Sequence, residues 1–269
     1  MELTSTPSPR LTALVRSAYH DPQKWNPERW SFQAGYSHNV YFSGSQAYTY
    51  LNRSSEYLFS RAGWRFAEAT QAGLEASSSI TAYEFSKRND NYSISLGPYA
   101  EWQARPTLKL TLRGGPTVSV FSNRGSGSGG SSLNSYYVGL EAAHELTRYL
   151  SHHLSIVRDV QAGLNEGSAY IEQLKASYFI SLALTDWINL STSVSYENGN
   201  QPLPVFLPGG LVAEKTEKFD VYRIGPQLNW HFTQHFSGTV AYNHSLRQSN
   251  FQNRNYVENS VSITLGYTF

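Results

Sequence analysis

Residues 257–269 read VENSVSITLGYTF and alternate in polarity with a period of two. Apolar or aromatic side chains recur at every second position except 259, and small or polar side chains lie between them. The apolar set is Val257, Val261, Ile263, Leu265, Tyr267 and Phe269. Because successive side chains of a β-strand point to opposite faces, the pattern predicts a strand with one apolar and one polar face.

The same alternation recurs from Trp30 onward and predicts twelve strands. They cover residues 30–42, 56–68, 72–85, 91–104, 108–122, 134–147, 151–164, 169–185, 187–199, 218–233, 236–250 and 256–269. Most of these segments are 12–16 residues long, whereas a strand of a soluble sandwich usually has about 5–6 residues. The length therefore favours strands that cross a membrane.

The connections between the predicted strands alternate between short and long. Short turns are predicted near 69–71, 105–107, 148–150, 186 and 234–235, and longer loops at 43–55, 86–90, 123–133, 165–168, 200–217 and 251–255. Outer-membrane barrels have this asymmetry, with short periplasmic turns and longer extracellular loops. The sequence thus predicts an all-β fold, a single up-and-down antiparallel transmembrane β-barrel of about twelve strands over residues 30–269.

Residues 1–29 differ from the rest of the chain. They contain four prolines around a weakly helical stretch, LTALVRSAYH at 11–20. We interpret them as an N-terminal arm with a short helix, which either plugs the barrel or lies in the periplasm. No apolar signal-peptide core precedes the barrel, so we expect a signal peptide to have been removed.

Composition excludes several classes of function. Only 15% of the residues are charged and the net charge is +1, which gives no electrostatic basis for binding nucleic acid. The absence of cysteine excludes disulfides, thiolate metal sites and thiol catalysis. No apolar run approaches the length of a transmembrane helix, which is about 18 residues or more.

Large aromatic residues cluster near the predicted short turns. We expect them to form one girdle at a membrane interface, where amphipathic rings are enriched. The predicted girdle is Trp30, Trp64, Trp102, Trp187, Trp230, Phe232, Phe236, Tyr267 and Phe269.

Serine, threonine, glycine and alanine dominate the face opposite the large apolar residues, so we expect this face to line a wet lumen. Charged residues of both signs occur on it: Arg61, Arg65, Glu75, Glu101, Lys109, Arg113, Glu141, Glu145, Asp159, Lys175, Glu197, Arg223, Arg247 and Glu258. They are either the lining of a channel that orients polar solutes or internal ion pairs that stiffen the wall. Candidate pairs are Arg113 with Glu101 or Glu141, and Arg247 with Glu258.

One charge conflicts with the pattern, because Arg158 falls on the apolar face of its strand. A charge at the middle of the membrane costs about 2–4 kcal/mol. We therefore expect a bulge or a register slip that turns Arg158 or Asp159 inward.

Motifs for catalysis or for a cofactor are weak. The eight histidines show no ligand spacing, and the GxGxxG match at 125–130 is followed by a strand instead of a helix. Serine and histidine are plentiful but form no recognisable catalytic set. We expect no enzyme activity, no metal and no cofactor.

The predicted loop 200–217 is the longest and most apolar loop, with prolines at 202, 204 and 208. It either folds into the mouth as a constriction, docks a protein partner, or packs on neighbouring loops.

The stretch VAYNHSLRQSNFQNRNYVENSVSITLGYTF, residues 240–269, resembles the closing hairpin of the putative β-barrel porin-2-like proteins. Its alternation up to the terminal Phe269 also resembles the signal read by the bacterial outer-membrane insertion machinery. The resemblance implies that Leu265, Tyr267 and Phe269 form this insertion signal and that the protein lies in the bacterial outer membrane, in contact with lipid and lipopolysaccharide.

Two functions follow from these features. The first is an outer-membrane channel, porin-like, for small hydrophilic solutes. The alternative is a structural or anchoring barrel of a larger export or envelope complex, with an occluded lumen. A protein partner would then bind through the arm 1–29 or the loop 200–217.

Overall fold

The computed structural model of the protein describes residues 29–43, 52–84, 90–121, 132–163, 168, 170–206, 212–233 and 235–267. These residues contain twelve strands. They are β1 (Trp30–Tyr41), β2 (Arg53–Ala67), β3 (Thr70–Tyr83), β4 (Asn91–Arg105), β5 (Leu108–Phe121), β6 (Ser132–Thr147), β7 (Leu150–Ala162), β8 (Tyr170–Ala183), β9 (Ile188–Phe206), β10 (Val212–His231), β11 (Phe236–Ser249) and β12 (Tyr256–Tyr267). A 3-10 turn, Gln252–Arg254, precedes β12.

All twelve strands belong to one sheet, in which each strand pairs antiparallel with the next along the chain. The predicted all-β, up-and-down antiparallel fold is thereby confirmed. No ladder joins β1 to β12 within the described ranges, so these two strands are the edges of the sheet. The sheet is nevertheless strongly curled, because Tyr57 of β2 and Asp159 of β7 line the same cavity.

The two faces of the sheet divide as the alternation predicts. Large apolar side chains on the outer face are exposed, for example Leu96 at 55% and Ile263 at 70%. The inner face buries polar groups, among them Glu75, Ser119 and Gln201. A protein whose exposed surface is apolar and whose interior is polar suits a lipid environment outside and a wet interior.

The interior of the β4–β5 pair requires glycine. Pairing is interrupted between the Ser95–Thr117 and Tyr99–Arg113 pairs, where each strand carries a proline that has no N–H to donate. A Cβ on Gly97 would lie 2.1 Å from the carbonyl oxygen of Gly114, closer than real Cβ atoms approach. The missing side chain therefore lets the two backbones approach where the sheet bends.

The prediction of a loop at 200–217 is wrong for most of these residues. β9 continues to Phe206 and β10 begins at Val212, and their pairing runs without interruption to the Val212–Phe206 pair. The remaining residues, 207–211, lie outside the described part of the chain. β8 pairs with β9 only as far as Asn200. Among the described residues, Pro202 and Pro204 therefore have no ladder partner on that side, which is where a strand tolerates proline.

Candidate solute cavity

Arg61 is the centre of an ion-pair network on the inner face of β2, β3 and β4. Its guanidinium donates to Glu75 Oε2 at 2.7 Å and to Glu101 Oε1 at 2.8 Å. It also lies over the ring of Tyr99, 4.2 Å from the centroid. The Arg61 and Glu75 side chains are only 13% and 7% exposed. This part of the interior is therefore filled by paired charges and an aromatic ring.

The network extends toward β5 and β6. Lys109 Nζ lies 2.8 Å from Glu101 Oε2, and Arg113 donates to Glu141 Oε1 at 3.1 Å. Of the two candidate partners of Arg113, Glu141 is thus the one in contact. Beside these pairs the space between β2 and β7 narrows to a cavity of about 220 Å³.

A larger cavity of about 1000 Å³ lies against the inner faces of β7 to β12. Its charged lining residues are Asp159, Lys175, Glu197, Arg223, Arg247 and Arg254, and the rest of its wall is mostly polar. Val157 and Asp159 line both cavities, so β7 is the wall where the wide and narrow halves of the interior meet.

Glu217 is buried completely where β9 and β10 extend beyond their neighbours. It accepts hydrogen bonds from Arg247 at 3.0 Å and Arg254 at 2.9 Å. Two neutral donors, Ser249 at 2.6 Å and Gln201 at 2.5 Å, complete the set. Glu217 therefore ties the turn before β12 to β10, at the edge of the large cavity.

Glu217 lies outside the membrane-spanning part of β10, five residues beyond the exposed Tyr222, or about 16 Å along the strand. Burial acts to raise the pKa of its carboxyl. The hydrogen bonds that it accepts, the strongest from Ser249, outweigh that effect and hold the pKa below its usual value. The carboxylate is therefore the stable form in this site.

The other predicted lumen charges lie on the same inner face, but their contacts differ from one residue to the next. Arg223 donates to Glu197 at 2.8 Å. Arg247 contacts Glu217 instead of Glu258, whose strand β12 is exposed on both faces. Arg65 and Glu145 lie at the short-turn ends of β2 and β6 and line neither cavity.

The expected bulge at Arg158 is absent from the described strands, and that expectation is corrected. The ladder runs in register through Val138, Arg158 and Leu174, so Arg158 stays on the apolar face. It is compensated there by Glu172 at 3.2 Å and by the ring of Tyr136, whose centroid is 3.8 Å away. A paired and stacked guanidinium can remain at this position without an inward turn.

The aromatic residues near the short turns are exposed on the outer face, as a girdle requires. Trp102, Trp187 and Phe232 are 52%, 51% and 57% exposed. The same outer face carries most of the predicted girdle: Trp30, Trp64, Trp230, Phe236 and Tyr267. Phe269 lies outside the described residues.

A second row of exposed aromatic residues was missed by the sequence analysis. It consists of Tyr92, Tyr136, Tyr196 and Tyr222. Tyr92 and Trp102 on β4, like Tyr222 and Phe232 on and beside β10, are ten residues apart, which matches a tilted membrane strand of about 9–11 residues. In the sequence, this row could have been recognised from tyrosines that lie about one membrane crossing away from a short turn.

The hydroxyl of Tyr196 in this row donates to Asp220 Oδ1 at 2.6 Å. We expect Tyr196→Phe to lower the free energy of unfolding by about 0.5–1.5 kcal/mol, because one hydrogen bond is lost while the ring remains. Urea unfolding from lipid vesicles measures the change. Tyr92→Phe, at a position with no side-chain hydrogen bond among the described contacts, is the control and should be neutral.

Among the described residues, no three His, Cys, Asp or Glu side chains group as metal ligands would. The same residues include no helix with the length and hydrophobicity needed to span a bilayer.

No protein-family model matches the sequence, and no curated protein matches it. The resemblance of the closing hairpin to the porin-2-like proteins therefore stays a prediction.

Solved structures of bacterial outer-membrane proteins share the fold. FpvAI in its complex with pyocin S2 matches with a TM-score of 0.55 and 13% identity, over 91% of this chain and 43% of that chain. The FrpB iron transporter from Neisseria meningitidis matches with a TM-score of 0.51 and 10% identity, over 89% of this chain and 45% of that chain. The copper transporter OprC matches with a TM-score of 0.51 and 10% identity, over 89% of this chain and 46% of that chain.

This chain spans less than half the length of each of these three proteins. At such low identity the similarity concerns the fold alone. The chain has the strand architecture of outer-membrane β-barrels.

Proposed function

We propose that the protein is a passive outer-membrane channel for small hydrophilic solutes. The observation that carries this proposal is the polar cavity of about 1000 Å³ enclosed by a sheet whose opposite face exposes large apolar side chains. A wet interior behind an apolar exterior is the arrangement by which a membrane barrel passes polar solutes. The path would follow β7 to β12, because ion pairs narrow the other half to smaller cavities.

The location and biogenesis belong to the same proposal. The exposed apolar face and its two rows of aromatic residues support contact with outer-membrane lipid and lipopolysaccharide. The alternation ending in Leu265 and Tyr267 supports recognition by the outer-membrane insertion machinery, with Phe269 as its last residue. We propose no enzyme activity for the protein.

A structural or anchoring barrel is the second candidate, and the network around Arg61 favours it. Charges that are paired and nearly buried stiffen a wall and block passage. In this case the protein would serve a larger envelope complex through the arm 1–29 or the tip of the β9–β10 hairpin. The two candidates differ in one property, which is an open path for water.

Conductance in a planar lipid bilayer separates the two candidates. We expect steady single-channel conductance from the full chain, because the wide half of the interior is not filled by side chains. Conductance that appears only after deletion of residues 1–29 would make the arm a plug. Silence from both proteins, each shown to be folded by its heat-dependent shift in gel mobility, would contradict the channel and favour the structural barrel.

A further inference from the structure

Most of the charges that line the two cavities take part in ion pairs. Glu197, Arg223, Arg247 and Arg254 in the wide half and Glu75 and Arg113 in the narrow half take part in ion pairs. Asp159 and Lys175 differ, because neither has an ion-pair partner within the described residues. Among the described residues that line the two cavities, one anion and one cation are thus left without an ion pair, on the same wall.

The two unpaired groups are close neighbours. Asp159 on β7 is directly opposite Gln173 on β8, and Lys175 is the next inward residue of β8. Diagonal neighbours of this kind lie about 7–8 Å apart, with their Cβ atoms somewhat closer. The side chains of Asp159, Gln173 and Lys175 all line the cavity of about 1000 Å³. They present a carboxylate, an amide and an ammonium side by side to the same solvent-filled space.

One atom of this group is unsatisfied. Asp159 Oδ2 accepts a hydrogen bond from Gln161 at 3.2 Å, but Oδ1 is buried and has no partner. A buried carboxylate oxygen without a donor costs free energy. The neighbouring Lys175 is not within ion-pair distance to supply that donor. Among the described residues no side chain supplies this donor, so water or a solute in the cavity would donate to the carboxylate.

We propose that this group is a binding site for zwitterionic solutes that carry an ammonium and a carboxylate, the chemistry of free amino acids. The solute ammonium donates to the carboxylate of Asp159, and the solute carboxylate accepts from Lys175 Nζ. The amide of Gln173 contacts either end. This inference rests on the proposed function and deepens it, because it assigns the substrate class of the same cavity.

A site for simple anions is the strongest competing explanation. Arg223 uses one N–H for Glu197 and its side chain is 41% exposed, so it could join Lys175 in binding a carboxylate alone. Such a site would not need Asp159, whose charge repels an anion. A carboxylate and an ammonium side by side on one wall favour the zwitterion, and an experiment with solutes of one charge distinguishes the two.

The test is the initial rate at which radiolabelled L-alanine enters proteoliposomes that contain the full chain. L-arabinose, a neutral solute, reports in parallel whether the channel is open. Glycine, propionate and ethylamine are added as unlabelled competitors. We expect glycine to inhibit L-alanine entry at a concentration about tenfold lower than either single-charge competitor, the factor of about one charge-assisted hydrogen bond.

Substitutions localise the effect. Asp159→Asn and Lys175→Gln should each reduce L-alanine entry about tenfold at low concentration and leave L-arabinose entry unchanged. The double exchange Asp159→Lys with Lys175→Asp, which keeps both charges on the wall, should restore most of the rate. Ser155→Ala, in the same cavity wall, is the matched control and should have no effect.

The outcomes separate this inference from the channel itself. No entry of either solute through folded protein overturns the proposed function. Entry of L-arabinose with equal inhibition by glycine and propionate overturns the zwitterion and assigns an anion site. Entry of both solutes without any effect of the substitutions also overturns it, because the unpaired charges would then take no part in binding.

Discussion

Glu217→Ala is expected to lower the free energy of unfolding by about 3 kcal/mol. The substitution leaves Arg247 and Arg254 without the carboxylate that both contact. Breaking a buried ion pair by removing one partner costs about 3–5 kcal/mol, and the partial exposure of both guanidiniums places this case at the lower end. Urea unfolding from lipid vesicles, followed by tryptophan fluorescence, gives the value.

Loss of Glu217 should also release the turn Gln252–Arg254. The carboxylate ties this turn to β10 through Arg254 and to β11 through Ser249. We expect cleavage by trypsin after Arg254 to become much faster in Glu217→Ala. Glu217→Gln, which retains an acceptor, should be intermediate. Glu258→Ala, on the exposed strand β12, is the control and should stay within about 0.5 kcal/mol of the parent. Equal cleavage of all variants would contradict the tie.

Local polarity predicted the strands and their faces because both depend on neighbours along the chain. The alternation of Val261, Ile263 and Leu265 is a property of one strand, and the structure exposes all three on one face. The same reasoning failed at Pro202 and Pro204, which are usual in loops. Whether a proline lies on an open edge depends on where the neighbouring strand ends, and β8 provides no pairing partner beyond Asn200.

Contacts between strands were less predictable than the strands themselves. Arg247 on β11 lies opposite Tyr256 on β12, but its guanidinium contacts Glu217 on β10. The strands on either side of β11 can each offer a carboxylate to this guanidinium, and the sequence does not show which one it contacts. The buried Glu217 and its second cation Arg254 fell within segments interpreted as loops. The unpaired state of Asp159 and Lys175 is a property of their surroundings, so composition alone cannot distinguish them from the paired charges.

Arg61→Leu is expected to cost about 3–5 kcal/mol, because it leaves the nearly buried Glu75 without its cation. Glu101 loses one partner but keeps Lys109, so the cost centres on Glu75. The double substitution Arg61→Leu with Glu75→Leu should recover most of the loss, since apolar residues of similar volume often replace a buried ion pair without penalty. The same urea titration from vesicles measures all variants.

Lys109→Leu provides the control for this cycle. Its side chain is 47% exposed, so its ion pair is worth at most about 1 kcal/mol. If Arg61→Leu proved as mild as Lys109→Leu, the interior around Arg61 would have to be wet, and the narrow half would be a second path through the protein. A large loss of unfolding free energy in Arg61→Leu, recovered in the double variant, would instead indicate that the ion pairs close the narrow half to water. Solutes would then pass only along β7 to β12, past Asp159 and Lys175.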